Sequence, residues 1–409
     1  MTTPAPPDTP PTVSRQTLNT LSRVRSLFAH LHDQGCARDK ARNRKLHLDD
    51  LLTLVMLALF QPLARSHRAL TQISDLKQVR KRFGVPHAAA GSISEAARVF
   101  DPEPLRHVIA ELIRHQPQAP RDPRLAALNR RLTAVDGTLL DALPRLVESA
   151  WGRHRDGSPR HRWRLHLELD IQDSIPDWLA LTGPKNSGAG DEKAVLRAHL
   201  HPERTYVVDR WFGHIPTLNA VVAARSDYVA RIRNNARLEV VESRELTAEA
   251  RAAGVLSDAV TRVGTTAQAD HPTRVVILRV PPHAKRRLSQ AAVAKPPTEI
   301  RLVTNLLDVP AELIALIYRY RWTIETFFRF FKQTLGCAHL LWDDPRGVRL
   351  QAYCALIACL LIQQSSGVKP SKATFAMLSY YLMGLADLDE VQAYLAKEAA
   401  RRAAKKASL

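Results

Sequence analysis

The sequence predicts an α/β protein: a mixed sheet with helices, set between helical N-terminal and C-terminal regions. Three observations predict it. Residues 16–122 carry helical apolar periodicity with almost no strand signal. Residues 130–233 alternate short strand-like runs with helical ones. Beyond 345 the pattern is helical to the end.

Residues 1–15, rich in Pro and Thr, read as a disordered tail with no signal peptide. Leu48 to Phe60 is a strongly apolar helix. Basic residues flank it: Arg42, Arg44 and Lys45 before, Lys77, Arg80, Lys81 and Arg82 after. The stretch Ser92-Ile-Ser-Glu95 has the form of a helix start with a capping box. This module at 16–122 is expected to bind DNA; a packing domain with basic edges has the same pattern. Pro117, Pro120 and Pro123 mark a linker.

Leu132 to Asp136 reads as a short strand entering the turn Asp136-Gly137-Thr138. Trp163 to Ile171 alternates apolar and polar residues, as a half-buried strand does. Trp178 to Leu181 is a weaker strand, and 191–200 a helix. Thr205-Tyr-Val-Val-Asp209 is another strand ending in an acid. Ile215 to Ala224 is helical, and Tyr228 to Arg233 a strand. Residues 234–300 break this pattern and read as a β-rich insertion, with strands at Thr273 to Val280 and Glu299 to Asn305. The sheet then resumes over 301–345, where Pro310 opens a long helix, and 346–409 form a helical region with a basic tail at Arg401, Arg402, Lys405 and Lys406.

The chain has 409 residues, with 59 Lys and Arg against 40 Asp and Glu, a net charge of +19. Such an excess favours a polyanionic partner, although a generally basic protein carries it too. Four cysteines, Cys36, Cys337, Cys354 and Cys359, contain no Cys-x-x-Cys pair, which fits a reducing cytoplasm. Leu51 to Phe60 and Tyr353 to Ile362 are too short to cross a bilayer and read as buried helices, so no membrane partner is expected.

On the long helix, Tyr318, Arg321, Glu325 and Lys332 fall at roughly 0°, 300°, 340° and 320° around the axis, at about 100° per residue. One carboxylate thus sits in a row of cations and an aromatic, a face suited to a metal and a polyanion together. An ordinary solvated ion pair of Glu325 with Arg321 or Arg329 gives the same pattern. Asp136 and Asp209 end two strands, and acids at such strand ends point into one crevice. Each alone reads equally as structural: Asp136 before Gly137 as a turn pair, Asp209 beside Arg210 as an ion pair. Three carboxylates in one crevice repel unless cations lie among them, and hard divalent ions with oxygen ligands answer that need. Asp141, Glu168, Asp170 and Asp227 compete for the same role.

The spacing Tyr318-x-x-Arg321-x-x-x-Glu325-x-x-x-x-x-x-Lys332 resembles the Tyr-Arg-Glu-Lys signature of DDE transposases of the insertion-sequence-four family. Asp136-Gly137-Thr138 is similar to that family's first acidic motif, and Tyr206-Val-Val-Asp209-Arg210 to its second. The resemblance covers residues 130–365 well and the N-terminal part loosely. It implies a ribonuclease-H-like fold with a β-rich insertion between the second Asp and the Glu. It implies Asp136, Asp209 and Glu325 as ligands of two Mg²⁺ ions, with Mn²⁺ able to substitute. It implies that Tyr318, Arg321 and Lys332, with Arg210 and Arg329, hold the DNA backbone, and that Trp322 positions terminal nucleotides. The implied activity is cleavage at transposon ends and transfer into target DNA by a homodimer on double-stranded DNA, in a bacterial cytoplasm. A non-transposing nuclease of the same fold and an inactive DNA-binding regulator are the alternatives. One departure stands out: the family often has Gly-Tyr after Asp-Arg, and this chain has Trp211-Phe212.

Overall fold

The computed structural model describes residues 24–34, 44–61, 64, 66–116, 122–126, 128–141, 150–153, 159–183, 188–264, 268–279, 299–336, 340–366 and 371–407. The expected tail at 1–15, the basic residue Arg42, the linker residues Pro117 and Pro120, and Cys36 and Cys337 lie outside them. The chain divides into two units. One joins Met1–Ala119, Leu139–Arg164 and Phe327–Leu409; the other joins Pro120–Thr138 and Leu165–Thr326.

Among the described residues, ten strands form a mixed, mostly antiparallel sheet: β1 (Arg131–Asp141), β2 (Ala150–Arg153), β3 (Pro159–Asp170), β4 (Pro176–Thr182), β5 (Arg204–Val208), β6 (Asp227–Ile232), β7 (Leu238–Ser243), β8 (Val255–Val263), β9 (Thr273–Arg279) and β10 (Glu299–Thr304). Their order is β2-β3-β1-β5-β6-β10-β9-β8-β7, with β4 also on β3. β1, β5 and β6 run parallel. From β6 onward the pairings are antiparallel, through β10, β9, β8 and β7. The β-rich stretch expected at 234–300 therefore extends the one sheet, because β9 pairs along its length with β10.

Helices α1 (Val24–Phe28), α2 (Leu48–Leu59), α3 (His67–Asp75), α4 (Lys77–Phe83), α5 (Ala90–Val99) and α6 (Leu105–Arg114) precede the sheet. Helices α7 (Glu192–Ala198), α8 (Ile215–Ala223) and α9 (Ala248–Ala252) lie within it in sequence. Then come α10 (Ala311–Tyr320), α11 (Trp322–Arg329), α12 (Pro345–Ser366), α13 (Lys372–Met383) and α14 (Leu388–Ala407). In the unit holding both chain ends, α12 packs against α2, α5 and α6. By length and composition α12 could span a bilayer, longer than its apolar run suggested, but 83% of its apolar window is buried in the fold. Cys354 and Cys359 are in that buried helix, as expected. Helix α5 starts two residues before the anticipated capping box; Ser92 and Glu95 are exposed within it.

In the other unit, β5 and β6 are buried almost throughout, as strands covered on both faces must be. One core cluster takes Val135 of β1, Tyr206 and Val208 of β5, and Tyr228, Ala230 and Ile232 of β6. Leu196 of α7 and Leu218 and Val221 of α8 close over them. Two expectations need correction. β1 does not turn at Asp136-Gly137 but continues as strand to Asp141. The long signature helix is not one α-helix: α10 ends at Tyr320, α11 begins at Trp322, and residues Phe330–Thr334 form a π turn. There the Leu335 N–H donates to the Phe330 carbonyl at 3.2 Å, and Phe327, Phe328, Phe330 and Phe331 are all buried. The wider winding takes Lys332 off the uniform helical wheel.

At the N-terminal ends of β1 and β5, Arg131 meets Asp170 and Asp177, and Arg204 meets Glu168 and Asp177. Glu168 is 1% exposed, and its Oε1 has no hydrogen-bond partner. Burial pushes its carboxyl up to about 7 from an ordinary 4.5, and Arg204 offsets this only in part. The folded state thus keeps a proton that the unfolded chain releases. This contribution to stability is fully present below pH 4.5 and lost as pH rises through about 7. Glu168→Gln should therefore raise the urea midpoint at pH 8 and change it little near pH 5. An equal shift at both pH values would show that the charge is not what matters.

Candidate active site

Strand pairing runs up to two acids. β1 and β5 are parallel and pair as far as Val135 opposite Val208, and each partner is followed directly by an acid: Asp136 within β1, Asp209 just beyond the end of β5. Val135 and Val208 both point into the core cluster. By strand alternation Asp136, still within β1, takes the opposite face.

Each acid is tied to the backbone that follows it. Asp136 Oδ1 accepts the Gly137 N–H at 2.8 Å. Asp209 Oδ1 accepts the N–H of Trp211 at 2.8 Å and that of Phe212 at 3.4 Å, a turn that fixes the carboxylate at the strand end. Glycine is required at Gly213, where a Cβ would strike backbone; at Gly137 it would meet the movable end of the Glu192 side chain. A Cβ on Gly137 would lie 2.0 Å from Glu192 Oε1, and one on Gly213 would lie 2.2 Å from the Arg231 carbonyl oxygen.

The third acid comes from the helices after β10. Arg321, at the junction of α10 and α11, places Nη2 2.6 Å from Glu325 Oε1. Its guanidinium lies 5.6 Å from the centre of the Tyr318 ring. Burial raises the Tyr318 hydroxyl above its ordinary range, while Arg321 and Arg231 act the other way and Asp209 adds to the rise. Burial, with Asp209 and Glu325 adding to it, pushes the Asp136 carboxyl up to about 7; the Gly137 N–H and Arg321 pull it down. The three acids and Arg321 therefore form one electrostatic group.

Glu325 Oε2 is buried with no hydrogen-bond partner. Among the described residues, no three His, Cys, Asp or Glu side chains meet in metal-holding geometry, and here Glu325 turns Oε1 onto Arg321. The donor set is nonetheless all oxygen, with one partnerless buried oxygen and one carboxyl held near neutrality. A hard divalent cation relieves both.

The other residues expected at the site divide between the two units. Trp322 is 58% exposed, and Arg210 is exposed. Both belong with the acids and Tyr318 to the unit Pro120–Thr138 and Leu165–Thr326. Arg329 and Lys332 belong to the other unit, where Arg329 is exposed and Lys332 Nζ donates to the Leu139 carbonyl at 3.3 Å. Of the competing acids, Glu168 and Asp170 are engaged at the opposite strand ends, and Asp227 pairs with Arg130 at 3.2 Å. Sequence reasoning missed Glu192 against Gly137 and Arg231 near Tyr318. An acid at a helix start and an arginine in a strand are too common to single out.

Three comparisons bear on this arrangement. Residues 128–361 match the family model described as the transposase DDE domain. A putative transposase, y4zB, of Sinorhizobium fredii is 27% identical over 226 residues; the match spans 55% of this chain and 59% of that protein, less than two thirds of its length. A probable transposase for insertion sequence element IS5377 of Geobacillus stearothermophilus is 26% identical over 284 residues, 69% of this chain and 68% of that protein. Among solved structures, a piggyBac transposase synaptic complex with hairpin DNA aligns with a TM-score of 0.42 and 13% identity, over 94% of this chain and 81% of that one. The matched segment contains Asp136, Asp209 and Glu325 together, and on it the chain belongs to the transposase DDE domain family.

Proposed function

We propose that the protein is a cut-and-paste DNA transposase of the insertion-sequence-four group, with its acids on a ribonuclease-H-like sheet. The observation that supports this is the β1–β5 pairing, which runs up to Asp136 and Asp209, together with the interactions of Asp136 with Asp209, Arg321 and Glu325 and of Asp209 with Tyr318. Asp136, Asp209 and Glu325 would hold two Mg²⁺ ions, or Mn²⁺ in their place. When bound, such ions activate water and stabilise the leaving oxygen of a phosphodiester. Arg321 holds Glu325 and stacks its charge on Tyr318, so both are oriented before DNA arrives. Exposed Trp322 and Arg210 offer a stacking ring and a phosphate contact. The partners are the transposon's terminal repeats and target DNA, held by a homodimer in the bacterial cytoplasm.

The test is strand transfer. Duplexes carrying the DNA that flanks the gene, precut to expose 3′-hydroxyls, are incubated with the protein, target plasmid and Mg²⁺. Joined products support the proposal; cleavage without joining points to the nuclease reading, and binding without either to the regulator. Lys332→Ala should weaken DNA binding and reduce the slope of log affinity against log salt by about one. A binding isotherm series over several salt concentrations measures it, and an unchanged slope would remove Lys332 from the phosphate contacts.

A further inference from the structure

We propose that Trp211, backed by Lys193, is a stacking surface for an unpaired nucleobase of the DNA substrate beside the acids. The proposal rests on the transposase reading and adds a contact that the expected DNA-binding residues did not include. Trp211 is 46% exposed, two residues after Asp209. Its backbone is held on both sides. The Trp211 backbone N–H donates to Asp209 Oδ1 at 2.8 Å, and the next residue, Phe212, is anchored in the core at 2% exposure. A large apolar ring is thus held at the rim rather than tucked away.

The second observation is the cation on the ring. Lys193 Nζ lies 4.2 Å from the indole centroid. Lys193 follows Glu192, whose carboxylate packs against Gly137, the residue after Asp136. One turn of α7 therefore touches residues next to both acids: Glu192 meets Gly137 beside Asp136, and Lys193 meets Trp211 beyond Asp209. Arg210 and His214 are exposed on either side of Trp211 in sequence. Lys193 and Arg197 both act on His214, with Asp191 opposing them, so cations predominate beside the ring.

An indole with neighbouring cations suits a base with its phosphate. A free phosphate would have no use for the ring, and an apolar peptide none for the cations. A π-face accepts any base, so this contact would position a strand near the acids without reading its sequence.

The experiment measures binding of a fluorescein-labelled oligothymidylate of about 20 nucleotides, and of a blunt duplex, to the full chain in EDTA. Trp211→Ala should weaken oligothymidylate binding about tenfold with an unchanged salt slope, because stacking releases no counterion. Trp211→Phe should keep most of the affinity, and Lys193→Gln should lower both affinity and slope. The oligonucleotide should quench the intrinsic fluorescence of the wild type more than that of Trp211→Phe. Thermal midpoints confirm that the variants are folded, and the Phe variant decides the matter if the Ala variant is not. Wild-type affinity in Trp211→Ala, or equal quenching in Trp211→Phe, overturns the stacking role while the transposase reading stands. A wild type that binds neither DNA overturns both.

Discussion

Glu325→Gln is expected to lower the rate of DNA-end cleavage by about a thousandfold or more, while DNA binding changes only a few-fold, because loss of metal-held charge raises the barrier without removing phosphate contacts. Gln keeps the shape of the side chain and an oxygen that can accept from Arg321, now 2.6 Å from Glu325 Oε1. The charge alone is removed. Asp136→Asn and Asp209→Asn should do the same, and Asn at 209 still offers an acceptor to the N–H groups of Trp211 and Phe212. Stability supplies the second readout. In the metal-free protein the Asp136 carboxyl is pushed up to about 7, mainly by burial, so above that pH it carries a charge that its surroundings disfavour, at a cost to folded-state stability. Asp136→Asn should therefore raise the thermal midpoint in EDTA at pH 8 and abolish the further rise that Mn²⁺ gives the wild type. A purely structural acid predicts the reverse, a loss of stability with the metal response intact. Cleavage assays and thermal denaturation with and without Mn²⁺ separate the two.

Much of this site was legible in the sequence because its strands are unambiguous. Tyr206-Val-Val and Tyr228-Val-Ala are continuous apolar runs, and strands buried on both faces require that composition. The spacing of Tyr318, Arg321 and Glu325 survives as a contact set because the chain stays helical through Arg321. What failed depended on tertiary partners. Asp136-Gly137 has the composition of a turn, but β1 runs through it to Asp141. The π turn at Phe330–Thr334 accompanies the burial of four phenylalanines, which no local pattern encodes. Strand alternation showed Glu168 and Asp170 to be inward candidates but not at which end of the sheet they lie. Arg131 and Arg204 hold them away from the C-terminal ends of β1 and β5.

Arg274→Met should cost about 3–5 kcal/mol of stability, because it strands a buried carboxylate. Arg274, 2% exposed, holds Asp258 in a two-pronged pair, Nε to Oδ1 and Nη2 to Oδ2, each at 2.7 Å. Its Nη1 donates to the carbonyls of Leu306 at 3.2 Å, Leu307 at 3.1 Å and Val309 at 2.5 Å. Arg244 also donates to the Leu307 carbonyl. These carbonyls lie on the short segment between β10 and Pro310, which leads directly into α10 and so to Arg321 and Glu325. Strands β8 and β9 thus supply the clasp that sets where the third acid begins. The double variant Asp258→Val with Arg274→Met removes both charges and should recover much of the lost stability in urea. It cannot replace the Arg274 donor to the Leu306 and Val309 carbonyls, and leaves Leu307 to Arg244 alone, so its cleavage rate should stay well below wild type even though it is folded. Wild-type cleavage by the folded double variant would show that α10 finds its place without the clasp, leaving Arg274 only to neutralise Asp258.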